Sequence, residues 1–248
     1  MSAELLINVT PSESRVALIE NGILQEIHVE RHTKRGLVGN IYRGKVSRVL
    51  PGMQAAFVDI GLEKAAFLHA SDIVIHNEIA EEVSASHIQK QDIRELVRDG
   101  QDIVVQVVKD PIGTKGARLT TDITIPSRYL VFMPSVTHVG VSQRIEEEAE
   151  RERLKSLVQE FCDENGGFIL RTAAEGVGKN ELQSDAAFLR RLWDKIQSRM
   201  KKRKSNVLYE DLPLARRVLR DFVGTELDRI RIDSKLSFQE LFQFTKEY

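Results

Sequence analysis

The side chains with chemistry to offer in this 248-residue sequence are aromatic and cationic rather than nucleophilic. Phe57 follows Ala55-Ala56 and Phe67 follows Ala65-Ala66, in neighbouring runs of strand character. Small flanking residues would leave each ring accessible. An exposed ring on a small barrel stacks nucleobases, at about 1–3 kcal/mol per base. Tyr42, Arg43 and Lys45 share the preceding run, and Lys115 sits in the turn Gly113-Thr114-Lys115-Gly116, where cations can follow a phosphate backbone. The competing reading is that both phenylalanines are core, the usual fate of phenylalanine in an alternating strand.

Other chemistry is hard to build. His28 and His32 are four apart, but their run alternates as a strand, where four residues span about 13 Å and cannot share an ion. Gly176-Val177-Gly178-Lys179 ends like a phosphate-binding loop, yet Ala173 takes the first glycine position and Asn180 replaces the magnesium-binding Ser or Thr. Cys162 closes an amphipathic stretch with no basic sequence neighbour and reads as a buried structural thiol. As the single cysteine it excludes an internal disulfide or a cysteine zinc cluster. No Gly-x-Ser-x-Gly elbow or paired acid–base carboxylates stand out, and no metal site is expected.

Charge is balanced, with 36 basic and 37 acidic residues, which excludes a uniformly basic nucleic-acid coat but not a local one. Signs separate within one region. Glu146 to Glu164 is acid-rich, whereas Arg190 to Lys204 holds eight cations against the single Asp194. That run is either a solvated helix face or a docking strip for phosphates. Met1-Ser2-Ala3-Glu4 has no basic flank before an apolar run, and no apolar run approaches a membrane span, so a cytoplasmic chain without leader or membrane segment is expected.

The elements that must position these residues are mixed. Leu5–Val9, Arg15–Ile19 and Ile23–Val29 read as strands, the last two joined by an Asn21-Gly22 hairpin signal. Runs at 41–46, 55–61, 66–68 and 102–108 suggest a five-stranded barrel, with a long polar connection over 71–99. Tyr129–Met133 and Gly167–Arg171 are strand-length runs, and Leu154, Val158 and Phe161 have helical spacing between them. The clearest helix spans 181–204, on the stripe Leu182, Ala186, Leu189, Trp193, Ile196 and Met200, with Trp193 as a packing anchor. A helix over 214–222, a strand over 229–232 and a helix from Ser237 end the pattern.

Ile41-Tyr42-Arg43-Gly44-Lys45-Val46, Ala56-Phe57-Val58-Asp59-Ile60-Gly61 and Phe67-Leu68-His69-Ala70-Ser71-Asp72 resemble the signatures of the S1-type RNA-binding OB fold. Leu50 to Gly61, Gly113 to Thr121 and Ile169 to Ala174 extend the likeness, and the whole chain resembles the N-terminal half of a member of the ribonuclease E/G family. The resemblance implies an α+β multidomain fold in which an RNase H-like subdomain is interrupted by an S1-type OB-fold β-barrel and a mixed α/β 5′-sensor module. Its boundaries would be 1–36 and 216–248 for the two RNase H-like pieces, 37–120 for the barrel and 121–215 for the sensor.

The family's base-stacking aromatics map to Phe57 and Phe67, with Lys115 as a nearby cation. Its 5′-phosphate site maps to Arg171 and Thr172, with backbone N–H groups near Val131 and with Arg144 as a neighbour. Gln143 stands where part of the family has a second arginine. The partner implied is single-stranded RNA with a 5′-monophosphate, met in rRNA and tRNA maturation and mRNA decay. A pocket sized for one phosphate excludes a triphosphate.

The family's magnesium-binding catalytic domain and its cysteine-containing zinc link, through which the full-length protein forms homo-oligomers, have no counterpart here. The expectation is an RNA-binding portion that is inactive alone and needs no cofactor of its own. Two other classes stay open: a stand-alone, non-catalytic S1-type RNA-binding protein, and a purely structural scaffold.

Overall fold

The computed structural model describes residues 3–74, 92–163, 166–202, 205–222 and 227–247. They fall into two compact units, one built from Met1–Gly36 with Leu212–Tyr248, the other from Leu37–Asp211.

In the first unit, β1 (Ala3–Val9), β2 (Glu13–Glu20) and β3 (Ile23–Arg31) form the antiparallel meander that the alternating pattern requires. Asn21 and Gly22 take φ of 50° and 79°, the left-handed pair of a two-residue hairpin whose twist matches its strands. The other end of this chain completes the sheet. The strand Arg229–Ile232 pairs parallel to β1, with Leu5 opposite Ile230. Leu5, Ile7, Val16 and Leu18 face the helices Leu214–Phe222 and Lys235–Glu247, burying Val218, Leu219, Leu241 and Phe244. Glu30 at the end of β3 accepts the Leu214 N–H at 3.0 Å and pairs with Arg217 at 2.9 Å, a cap supplied from across the fold. This piece starts at Leu212 rather than at 216, because the buried Leu214 and Ala215 already belong to this core.

The second unit begins with β4 (Ile41–Leu50), β5 (Ala55–Asp59) and β6 (Ala66–His69). Part of the connection expected over 71–99 lies outside the described residues. A single helical turn, α1 (Ile93–Leu96), precedes β7 (Asp102–Lys109) and β8 (Arg118–Thr120). Pairing in the order β4-β5-β6-β8-β7, with β7 back on β4, closes a five-stranded barrel. Alternation points Tyr42, Val46, Val58, Leu68, Val105 and Leu119 inward. Two glycines permit the closure. A Cβ on Gly44 would lie 2.4 Å from Val58 Cγ1, and one on Gly116 would lie 1.9 Å from the Ala65 carbonyl oxygen.

A mixed sheet follows, from β9 (Ile125–Pro126), β10 (Leu130–Met133), β11 (Val139–Val141) and β12 (Gly167–Leu170), in the order β11-β12-β10-β9. The helices α2 (Glu148–Gln159) and α3 (Lys179–Lys202) supply its core, where Phe132 and Phe168 rings lie 5.3 Å apart. The stripe expected on α3 is the one that packs. Leu182, Ala186, Leu189 and Ile196 are buried, while Trp193 and Met200 are half-buried against the same core, Trp193 at 6.4 Å from Phe132. The expected boundary at 120 crosses a shared core, since Ile41 of β4 is buried with Ile123, Ile125 and Leu130. After α3, β13 (Val207–Tyr209) returns to the barrel and pairs with Ile41 and Tyr42. The three later elements introduced above are β14 (Arg229–Ile232), α4 (Leu214–Phe222) and α5 (Lys235–Glu247). Among the described residues no helix is long and apolar enough to cross a membrane.

Candidate RNA-binding surface

Cross-strand register assembles one row on the outside of the barrel. Arg48 lies opposite Phe57, Phe57 opposite Phe67, and Phe67 opposite Arg118, spanning β4, β5, β6 and β8. Side chains so registered share a face. Both rings are half-exposed, with centroids 6.2 Å apart and planes at 69°. His69, two residues past Phe67 and on the same face, adds a third ring at 6.4 Å. Its orientation is held by Ser71, whose N–H donates to Nδ1 at 3.1 Å.

Cations bracket the rings. Arg118 is clamped bidentately by Asp72, at 2.9 and 3.2 Å, and this carboxylate holds the guanidinium pKa above its usual value. Thr120 Oγ1 and the Thr121 N–H donate to the Asp72 carbonyl, each at 2.9 Å, so the clamp is itself fixed. Lys115 is exposed in a tight turn closed by reciprocal Ile112–Lys115 hydrogen bonds of 3.0 and 3.2 Å. The Lys64 ammonium donates to the Gly113 carbonyl of the same turn.

Three expected members of this surface have other surroundings. Tyr42 is 4% exposed and points into the barrel, its hydroxyl accepting from Asn40 Nδ2 at 3.2 Å; a ring with no free face cannot stack a base. Arg43 donates its guanidinium to the Met200 carbonyl and its backbone N–H to Asn206 O at 2.7 Å, capping the end of α3. Lys45 is exposed, and lies opposite Asp59 on one side and Asp102 on the other, outside the row of rings.

A second polar cluster forms at the end of β12. Arg171 donates through Nη1 to the Ser127 and Arg128 carbonyls, and its backbone N–H reaches Tyr129 O at 2.8 Å. Thr172 is exposed at the start of a single helical turn. Val131, on the outer face of β10, is registered with Ile169 and Pro126; because this strand is interior to its sheet, its side chain rather than its backbone is presented. The Arg144 N–H accompanies the group through Ser142, donating to Oγ at 3.3 Å beside the β12 terminus. The loop after Thr172 is tied down by α2. Glu150 accepts the Gly176 N–H at 2.8 Å and Arg153 donates to Val177 O at 3.0 Å. The Arg153 guanidinium, aided by that N–H, brings the Glu150 carboxyl down to about 2.

Asp185 is one of four residues that sequence reading missed. Only 7% exposed on α3, it accepts from Ser127 Oγ and from the Tyr129 and Leu130 N–H groups, both at 3.0 Å. Burial raises its pKa and these donors oppose the rise. Its signal was an acid inside the apolar stripe, between Leu182 and Ala186. Arg48, Arg118 and His69 were missed because their relation to the two phenylalanines exists only through strand pairing.

The cationic run divides. Arg190 bonds Phe161 O at 2.9 Å and Asp163 at 3.1 Å, and Arg199 bonds Leu208 O at 2.9 Å, whereas Arg191, Lys195, Lys201 and Lys202 are exposed. Arg203 and Lys204 lie outside the described residues. Cys162 is half-buried rather than buried, and the fold gives it the basic neighbour its sequence lacks, Arg190; burial nevertheless pushes the thiol pKa up. His28 pairs with Glu26 at 3.0 Å, while His32 contacts Ser14 and Pro11. Among the described residues no three His, Cys, Asp or Glu side chains gather as a metal site.

Residues 37–118 match the model of the S1 RNA binding domain, and residues 124–248 match that of the Ribonuclease E/G family. Over its full length the chain is 68% identical to Ribonuclease G of Escherichia coli strain K12, covering 51% of that protein. It is 63% identical to Ribonuclease G of Haemophilus influenzae, covering all of this chain and 50% of that protein. To Ribonuclease E of Nostoc sp. it is 36% identical over 94% of this chain and 33% of that protein. It spans about half the length of the Ribonuclease G relatives it matches. A closed S1-type barrel, with its rings outward and joined to residues that match throughout the following half, makes this chain a member of the ribonuclease E/G family.

Proposed function

We propose that this chain is the RNA-binding and 5′-end-sensing portion of a single-strand-specific endoribonuclease acting in rRNA and tRNA maturation and mRNA decay. The observation that carries the reading is the half-exposed Phe57–Phe67 pair set between Arg48 and Arg118 on a closed barrel. Unpaired bases offer π-faces to such rings and duplex bases do not, so the surface favours single strands. Arg118, Arg48 and Lys115 then meet the phosphates on either side.

Arg171 is the 5′-phosphate ligand of this reading, with Thr172 adding a hydroxyl, Val131 bounding the pocket and Arg144 adding charge. Its support is the backbone anchoring of the guanidinium through Nη1, which sets the plane of the fork before RNA arrives. Residues 121–211 of the second unit then serve as the sensor. The three-stranded meander, with β14 parallel to β1 beyond a helix, supports an RNase H-like role for the unit formed by the two ends of the chain. The full-length protein is read as a cytoplasmic homo-oligomer.

In this reading the magnesium and structural zinc of the family are not held by this half. Among the described residues there is no three-ligand cluster, and the single cysteine provides no cysteine set for zinc. On this reading the chain is expected to bind RNA without cutting it. The deciding experiment titrates this chain with one short RNA carrying a 5′-monophosphate, a hydroxyl or a triphosphate. Preference for the monophosphate, abolished in Arg171→Ala, is the expected result. Equal affinity for the three ends refutes the sensor reading, and magnesium-dependent cleavage by the purified chain refutes the binding-only one.

A further inference from the structure

We propose that Asp185 is a positioning residue for the 5′-phosphate site, fixing the four residues 127–130 onto which Arg171 is anchored. The inference rests on the 5′-end reading given above. Asp185 and Arg171 hold the same short stretch by its opposite polarities. The carboxylate takes the donors: the Ser127 hydroxyl and the Tyr129 and Leu130 N–H groups. The guanidinium takes the acceptors, the Ser127 and Arg128 carbonyls, while the Arg171 N–H takes the Tyr129 carbonyl. A Ser127 N–H to Leu130 O bond of 2.8 Å closes the stretch into a turn.

A buried carboxylate is an expensive way to hold a turn. An ionised acid has only acceptors, so it persists out of water only where several donors converge on it. Those donors come from the one turn that carries the arginine. An apolar residue at 185 would still fill the stripe of α3, whose neighbours Leu182 and Ala186 are buried. It would leave the Tyr129 and Leu130 N–H groups without their acceptor, and the turn would relax. The carbonyls that set the plane of Arg171 would move with it. The guanidinium would then meet a terminal phosphate after a search rather than already aimed.

The test measures binding of one single-stranded oligoribonucleotide, with either a 5′-monophosphate or a 5′-hydroxyl, to the wild-type chain, Arg171→Ala, Asp185→Asn and Ser127→Ala. The wild type is expected to prefer the monophosphate and Arg171→Ala to lose that preference. Asp185→Asn keeps one acceptor oxygen but loses the charge that strengthens these bonds, and is expected to reduce the preference about tenfold. Binding of the hydroxyl RNA should stay within about twofold, because it rests on the barrel rings. Ser127→Ala keeps the carboxylate and removes one donor, and should move the ratio the same way by about threefold. It decides the matter where Asp185→Asn fails to fold. An unchanged ratio in a folded variant, or equal loss for both RNAs, overturns the positioning role. Absence of any preference in the wild type overturns the 5′-end reading instead.

Discussion

Phe57 and Phe67 meet edge to face across β5 and β6, with centroids 6.2 Å apart and planes at 69°. Two rings inclined in this way offer successive bases surfaces at different angles. Phe57→Ala and Phe67→Ala should each weaken RNA binding by about 1–3 kcal/mol, whatever the 5′ end carries. Fluorescence anisotropy with 5′-hydroxyl and 5′-monophosphate RNA checks it; a loss confined to one end would contradict the assignment.

Arg118 and Arg43 should behave as opposites. Arg118→Ala removes a cation at the ring row, so affinity should fall and the slope of log K against log salt should shrink by about one. Arg43→Ala removes the cap from the end of α3 and should lower thermal stability while leaving that slope unchanged. Salt titrations and melting curves of the two variants separate the roles.

Tyr42 offers a third contrast. Tyr42→Phe loses a single hydrogen bond with Asn40 and should cost about 1 kcal/mol. Tyr42→Ala opens a cavity in the barrel and should cost about 3–5 kcal/mol by urea unfolding. Neither Tyr42→Phe nor folded Tyr42→Ala should change RNA affinity by the stacking increment.

Glu150 sets a pH dependence of definite sign. Its carboxyl titrates near 2 in the folded chain against an ordinary 4.5, so its contribution is complete above about 4.5 and is lost as pH falls toward 2. The stability advantage of the wild type over Glu150→Gln should therefore be largest near neutrality and shrink steadily between pH 4.5 and 2. Urea midpoints of both proteins at pH 6 and pH 3 measure it; an advantage that grows on acidification contradicts the pairing with Arg153.

Long periodic elements were legible before any coordinates. The Asn21-Gly22 hairpin, the barrel runs and the α3 stripe each repeat their pattern often enough to identify the element and its buried side. Strands β9, β11 and β13 hold two or three residues each, too few for a period of two to appear. Parity was the harder failure. Tyr42 and Phe57 both sit in alternating strands, yet one faces in and the other out. Gly44 held the clue: a residue two places from Tyr42 whose missing side chain makes room for Val58 marks the inner face. The β1–β14 pair and the hold of Asp185 on Ser127 join distant segments, and neither leaves a local trace.

The return of β13 to β4 has a consequence for how such a protein can be divided or recombined. The mixed sheet and its helices are an insertion whose exit strand is stitched into its host, not a bead hung from a flexible thread. Transplanting residues 37–120 into another protein would leave Ile41 and Tyr42 without their Val207 and Tyr209 partners, and Ile41 stripped of its surroundings. The interchangeable piece is the whole stretch 37–211, and grafts that respect those ends should fold where shorter ones aggregate.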